Sequence, residues 1–325
     1  MKVLVTGGAG MVGNALCRRL LGRGAEVLCV DDFSRGTPRH VDEFKGAAGF
    51  EFESWDVGRR GWHESLKGRS FDVLAHLAAN SDISLGRERP EMDCARTFST
   101  TFEALQAARE LRIPNFLFSS SSAVYGADPV LPTPESASKL HPVSVYGAGK
   151  LASEAFISAF VENYGLNAWV YRFGNVVGEK LTHGAIYDFV ARLRKDPAEL
   201  VVLGDGRQNK TYIDVEDCVD GILRAFEGSP AGKTHAERFQ VFNLSTAGTT
   251  SVAEIAREAV KVVAGGKSAI RYGSEPIGWV GDVPRTSLDV AKILALGWKP
   301  KRDSGAAVAA SVRDYARWSH AGPAA

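Results

Sequence analysis

The amino-acid sequence predicts an α/β fold, a doubly wound parallel sheet joined to a smaller mixed α/β lobe. Three observations carry this. Short apolar runs alternate with longer amphipathic stretches through the first half. A glycine-rich loop separates the first apolar run from the first helical stretch. The second run ends in an acidic residue. Alternation of this kind places helices on both faces of a parallel sheet. Strands buried on both faces read as continuous apolar runs.

The elements follow in order. "KVLVTG", "EVLCVDD", "VLAHLAA" and "NFLFSSS" read as buried parallel strands, and "AWVYRFGNVVG" adds another. Between them "GNALCRRLLGRG" and "STTFEALQAARELR" carry helical periodicity, as does "LASEAFISAFVENYG". After about residue 178 the rhythm loosens. "GAIYDFVARLRKD" and "SVAEIAREAVKVVAG" read as helices, and "ELVVLGDG" and "FQVFNLS" as strands. "DVAKILALGWKP" is a short helix with a glycine stop and a later proline. "AAVAASVRDYARWSHA" is a terminal helix. Residues 1–171 are therefore expected to form a Rossmann-type dinucleotide-binding domain, with the chain returning to it around 209–246. Residues 172–325 are expected to be mainly a substrate-binding lobe.

Composition narrows the class. The 325 residues are 45% hydrophobic and 24% charged, ordinary values for a globular protein. A net charge of +1 gives no general attraction to nucleic acid or an anionic membrane. No run approaches the ~20 apolar residues of a membrane span, and glycines break the apolar start after five residues. Cys17, Cys29, Cys94 and Cys218 show no metal-binding spacing. A reducing, cytoplasmic setting is expected, with no metal.

"VLVTGGAGMVG" sets Gly7, Gly10 and Gly13 between a strand and a helix that begins near Met11 and Val12. Such a loop turns tightly, lets backbone approach a pyrophosphate, and aims a helix N-terminus at it. Asp31 ends the second strand, 24 residues after Gly7, where an acid binds an adenosine ribose. Its carboxylate repels a 2′-phosphate, so NAD is favoured over NADP, although the neighbouring Arg35 could soften that preference. Asp32 and Ser34 flank the same corner, Asp32 reading more as a solvated neighbour than a ligand. "WDVG" puts Asp56 and Val57 at a further strand end, either for the adenine amino group or as a loop cap. Leu77, Ala78 and Ala79 supply small or apolar residues where a cofactor passes close to backbone. His76 reads as a packed strand residue.

"SVYGAGK" then spaces Tyr146 four positions from Lys150, so both share one helix face. A free phenol titrates near ~10, too high for a base at neutral pH. A neighbouring ammonium and a positive ring would lower it. Gly147 and Gly149 each cost a helix about 1 kcal/mol against alanine, and are expected to leave room for ligands.

In their order, "TGGAGMVG", "HLAA", "SSSSAVYG", "YGAGK" and "RFGNVVG" resemble the extended short-chain dehydrogenase/reductases, most of all their nucleotide-sugar epimerases of the UDP-glucose 4-epimerase type. Weaker matches at 200–222 and 281–300 extend the resemblance over nearly the whole chain. It implies bound NAD, a nucleotide-sugar substrate (a UDP-sugar first) between two lobes, and a homodimer formed through helices near 97–110 and 148–163. Tyr146 would be the base, Lys150 would hold the nicotinamide ribose, and Ser121 would hydrogen-bond the reacting oxygen, with Ser122 the alternative in a run of four serines. Asn175 would contact the diphosphate. Val201 and Leu203 would flank the base, and Arg207 and Lys210 would face phosphates. The relatives' dehydratases carry an Asp-Glu pair after that serine, and their decarboxylases a Glu; this chain has Ser122 and Ala123. Epimerisation at C4 through a transient ketone is then the simplest chemistry, with a 4,6-dehydratase, decarboxylase or 4-ketoreductase on a similar sugar nucleotide as the alternative and a non-catalytic cofactor-binding sensor as the remote one. The pattern departs at three places. Trp279 replaces an arginine, leaving Arg285 or Arg271 to meet the diphosphate, and Thr97 and Ser81 replace an asparagine and a lysine.

Overall fold

The computed structural model describes residues 1–320 apart from 84, 277, 279, 280 and 282. Its first half runs β1 (Lys2–Thr6), α1 (Met11–Leu21), β2 (Glu26–Val30), β3 (Phe50–Glu53), β4 (Val73–His76), α2 (Leu85–Glu88) and α3 (Pro90–Asp93). A π-helical turn at Cys94–Ser99 leads into α4 (Thr100–Glu110), then β5 (Asn115–Ser121), α5 (Val145–Tyr164) and β6 (Asn167–Phe173). The second half holds β7 (Asn175–Val177), α6 (Ala185–Lys195), β8 (Glu199–Val202), β9 (Asn209–Lys210), β10 (Tyr212–Asp214), α7 (Val215–Gly228) and α8 (His235–Arg238). It ends with β11 (Phe239–Leu244), β12 (Thr250–Ser251), α9 (Val252–Ala264), β13 (Ala269–Tyr272), α10 (Ala291–Ala295) and α11 (Ser304–His320).

Seven strands form one parallel sheet in the order β11-β6-β5-β4-β1-β2-β3. The apolar runs explain the centre: four of the five residues of β1 are buried, as are all four of β4. Edge strand β3, "FEFE", has no fully buried residue. One face packs against α1 and α7 through Leu16, Leu20, Val219 and Ile222. The other packs against α4 and α5 through Leu105, Ala108, Ile157 and Val161. After β6 the chain leaves the sheet, and it comes back for β11 beside β6. A third core lies under α6, α9, α11 and β8, with Phe189, Val190, Ile255 and Val308 inside. Strand order reverses between β1 and its neighbours β2 and β4, which opens a crevice at the strands' carboxyl ends.

Candidate active site

That crevice is a cavity of about 680 Å³, lined by the ends of the central strands and by segments of the second half. Gly7 has φ +76°, and a Cβ there would lie 2.5 Å from the Ala78 nitrogen, so no side chain fits. A Cβ on Gly13 would overlap the Gly7 carbonyl. Helix α1 has no side-chain cap and no acidic residue in its first turn. Its leading N–H groups are therefore left for an anion. These features fit the pyrophosphate of a dinucleotide.

Asp31 is held as a carboxylate acceptor by the Ala9 N–H at 3.0 Å and the Phe33 N–H at 2.8 Å. Burial nevertheless raises its pKa, with those hydrogen bonds opposing. Asp32 and Asp56 share Arg96, whose Nη1 lies 2.6 and 3.2 Å from them. Arg35 donates to Asn80 Oδ1 at 2.7 Å and approaches Asp82 at 3.4 Å. Both arginines at this corner are thus engaged by the protein, which suits a cofactor without a 2′-phosphate.

At the carboxyl end of β5, Ser121 caps a 3₁₀ turn at Ser122–Tyr125 by accepting from the Ala123 N–H at 3.2 Å. Its side chain also hydrogen-bonds the Tyr146 phenol. Ser144 caps α5 through the Gly147 N–H at 3.1 Å, which fixes the helix start one residue before Tyr146. Lys150 is 2% exposed, donates to the Ser119 carbonyl at 2.5 Å, and sits 5.7 Å from the Tyr146 ring centre. Behind them Glu154 and Arg172 form a buried ion pair at 2.7 Å, and Ser120 donates to Glu154 at 2.5 Å. This network locks α5 to β5 and β6.

Two expectations are corrected here. The protein alone does not lower the Tyr146 pKa. Burial pushes it up to about 12, the Ser121 hydrogen bond opposes, and Asp93 adds to the rise. Lys150 is itself pushed down to about 7 by burial, against the pull of Glu154 and Asp93, so its ammonium is a weak partner at neutral pH. The glycines do not make room for ligands either. A Cβ on Gly147 would lie 2.7 Å from the Ala123 carbonyl and 2.9 Å from Pro142 Cβ, and one on Gly149 would lie 3.2 Å from Thr97 Cγ2. They let α5 seat against its own protein.

The cavity wall brings together Gly7, Gly10, Met11, Val12, Gly13, Asp31, Asp32, Ser34, Arg35, Asp56, Val57, Leu77, Ala78 and Ala79 with Ser121, Tyr146 and Lys150. Asn175, Leu203 and Lys210 join them from the second half, and Asn175 Nδ2 donates to the Thr211 carbonyl at 3.0 Å. Four expected substrate residues lie outside the lining. Ser122 opens the 3₁₀ turn. Val201 is 44% exposed, between buried Leu200 and Val202. Arg207 is 89% exposed over a separate surface depression. Arg285 is exposed and joins Asn209 through backbone. Arg271 pairs with Glu199 at 2.5 Å, and Trp279 lies outside the described residues. Sequence reasoning missed the wall residues Asn80, Asp82, Arg96, His183, Arg192 and Gln208. Only Asn80 and Asp82, directly after "HLAA", stood near a signal. His76 is buried between Thr6 and Thr101, at 2.7 and 3.1 Å, as a packed strand residue.

Fold and crevice together define a dinucleotide-binding α/β class, with Ser121, Tyr146 and Lys150 gathered on one cavity wall. Residues 3–264 match the NAD dependent epimerase/dehydratase family, and the chain belongs to it. The UDP-glucose 4-epimerase of Mycolicibacterium smegmatis is 30% identical over 306 residues, covering 93% of this chain and 94% of that protein. A crystal structure of a UDP-galactose 4-epimerase is 33% identical with a TM-score of 0.86, over 98% of this chain and 99% of its own. The UDP-glucose 4-epimerase of Thermus thermophilus, solved in complex with NAD, is 27% identical with a TM-score of 0.82, over 100% of both chains. Among the described residues, no helix is long and apolar enough to cross a membrane, and no cluster of side chains could hold a metal ion.

Proposed function

We propose that the chain is an NAD-dependent epimerase that inverts C4 of a nucleoside-diphosphate sugar, a UDP-hexose in the first instance. The observation that carries this is the convergence of Ser121, Tyr146 and Lys150 on one cavity with the glycine-rich loop, where the turn after Ser121 bears no carboxylate. A dehydratase or decarboxylase needs an acid or base there; Ser122 and Ala123 cannot act as one at neutral pH.

Gly7, Gly10, Gly13 and Asp31 would hold NAD, with Lys150 on its nicotinamide ribose. When bound, NAD supplies the hydride acceptor and donor and a positive charge. Tyr146 accepts the C4 hydroxyl proton and later returns it. Ser121 steadies the reacting oxygen and the phenol together. Asn175, Lys210 and Arg192 meet the diphosphate, Arg192 taking the place expected for Arg285. Leu203 flanks the base. Enclosure of the cavity keeps the transient ketone from escaping.

The same reading includes a homodimer. Phe98, Phe102, Phe156 and Phe160 form a chain of edge-on contacts across the π-helical turn, α4 and α5, and Phe156 and Tyr164 are exposed at 40% and 53%. A second copy would cover this aromatic face.

The test is incubation of the purified protein with UDP-glucose, UDP-galactose and UDP-glucuronate, followed by sugar analysis. The C4 epimer without net reduction of NAD is expected. A 4-keto-6-deoxy sugar or a pentose product would refute the reading. Tyr146→Phe is expected to lower turnover about 10²–10⁴-fold, the range for losing a positioned proton carrier, while NAD stays bound. Near-normal turnover would remove Tyr146 as the base.

A further inference from the structure

The carbonyl of Ala9, inside the glycine-rich loop, is held by a side chain that lies outside the crevice. His40 ends a 3₁₀ turn at Pro38–His40 and is fully buried. Its Nδ1 lies 2.6 Å from the Ala9 carbonyl oxygen. A carbonyl can only accept, so Nδ1 carries the proton and donates. Neither residue lines the cavity. The Ala9 N–H is taken by Asp31 at 3.0 Å. The peptide that begins with the Ala9 carbonyl also contains the Gly10 N–H, which donates to the Gly7 carbonyl at 3.1 Å. Both atoms of that peptide are thus fixed one residue before α1 starts at Met11.

The fold keeps the imidazole there at a cost. Its Nε2 is sealed from solvent and has no hydrogen-bond partner among the described residues, an unfavourable state for a ring nitrogen. Burial lowers its pKa, with the Ala9 hydrogen bond opposing and Lys180 adding to the fall, so the ring is neutral at neutral pH. Its surroundings lock it. Asn14 Nδ2, from α1, donates to the His40 carbonyl, and Lys180 donates to Asn14 Oδ1 at 3.0 Å. A Cβ on Gly36 would overlap the Ala9 carbonyl, so the chain after β2 lies directly against the loop. Trp318, in the last turn of α11, places its ring centre 5.2 Å from that of His40. Arg39 lies 4.3 Å from the same indole and donates to the Trp318 carbonyl at 3.0 Å.

We propose that His40 is a positioning residue for the cofactor: its Nδ1–H holds the Ala9–Gly10 peptide so that no carbonyl turns towards the pyrophosphate, and Trp318 from α11 keeps the ring in place. It acts through the loop, from outside the cavity wall. A helix N-terminus attracts an anion through its N–H groups. A peptide free to rotate just ahead of α1 would set a carbonyl oxygen among them and repel the same anion. The proposal rests on the reading of this loop as the NAD site, which loss of NAD from Gly7→Ala tests separately.

The experiment titrates the nucleotide-depleted full-length chain with NAD and with ADP-ribose, which keeps the pyrophosphate and lacks the nicotinamide. His40→Leu removes the donor and is expected to weaken both ligands about tenfold or more, a factor of ten being about 1.4 kcal/mol. His40→Asn returns an N–H close to the Nδ1 position, and its affinities should come back to within about threefold of the parent. Trp318→Leu leaves the donor in place and should give an intermediate loss. Urea unfolding of each variant separates lost stability from lost affinity. A second readout needs no ligand. In nitrogen NMR of the histidine rings, the His40 signals, identified by their absence from His40→Asn, are expected to show a neutral imidazole protonated at Nδ1. Parental affinity in His40→Leu, no recovery in His40→Asn, or a ring protonated at Nε2 would each overturn the proposal. Should His40→Leu not fold, parental NAD affinity in Trp318→Leu overturns it by itself.

Discussion

Gly147→Ala tests why the helix that carries Tyr146 contains glycine. Two effects oppose each other. Alanine gains about 1 kcal/mol of helix propensity at most. Against this, the new Cβ would sit 2.7 Å from the Ala123 carbonyl and 2.9 Å from Pro142 Cβ. The first contact is backbone and cannot swing away, and overpacking of this kind costs about 1–3 kcal/mol. The net expectation is a loss of roughly 0–2 kcal/mol, read by urea unfolding of the full chain. The functional effect should be clearer. Ala123 belongs to the turn that Ser121 caps. Relieving the clash moves that turn or the start of α5 by several tenths of an ångström. A 1 Å misplacement near a reacting centre can cost about 10²-fold, so about a tenfold loss of kcat is expected, with NAD still bound. A variant more stable than the parent and equally active would show that nothing presses on this glycine, and the packing argument would fall.

Three further outcomes can be checked. His76 is buried and its pKa is pushed down to about 3 from an ordinary 6.5, chiefly by desolvation and further by Lys150. Its folded pKa is depressed, so the unfolded chain binds the extra proton, and stability should fall as pH drops from 6.5 towards 3, by up to about 1.4 kcal/mol per unit. Urea midpoints at pH 7 and 5 should show that slope, and His76→Phe should flatten it. Phe156→Asp should convert a dimer to monomer in sedimentation analysis, because Phe156 joins Phe98 and Phe102 on the exposed aromatic face; an unchanged mass would place any dimer contact elsewhere. Gly7→Ala forces a side chain onto a φ of +76° and against the Ala78 backbone. Purified protein should then carry no extractable NAD.

Local steric demands were the most legible part of the sequence. The loop from Gly7 to Gly13 could be read because strand, turn and helix lie within a dozen residues and backbone clearance dictates glycine. The central strands declared themselves as apolar runs. β3 showed only its end, at "WDVG", since "FEFE" at the sheet edge has no fully buried position to generate an apolar run. Tyr146, Lys150 and Ser121 were recognisable as a set, and the cavity brings them together. Their electrostatics were not recognisable, because the upward shift of the phenol comes from burial, which spacing does not report. Gly147 and Gly149 were misread for a similar reason: the sequence shows two missing side chains but not Ala123 and Thr97 pressing on the space. Arg192 escaped notice within an amphipathic helix, where its exposed-face periodicity is that of any surface arginine. Only the folding of α6 over the crevice places it in the wall.

The return of the chain to the central sheet limits how the molecule can be divided. A piece ending at residue 171 would lose the last two residues of β6 along with β11, and with them the neighbour that covers the sheet's margin. It would also lose α7, leaving Leu16, Leu20 and Trp169 without Val219, Ile222 and Phe226 against them. Such a fragment would present a bare strand rim and an oily face to water. The nucleotide half is therefore not an autonomous module to be transplanted or fused by a single cut. Splitting the gene at that point should yield inclusion bodies, whereas breaks in exposed turns far from both passes should leave two pieces able to reassemble.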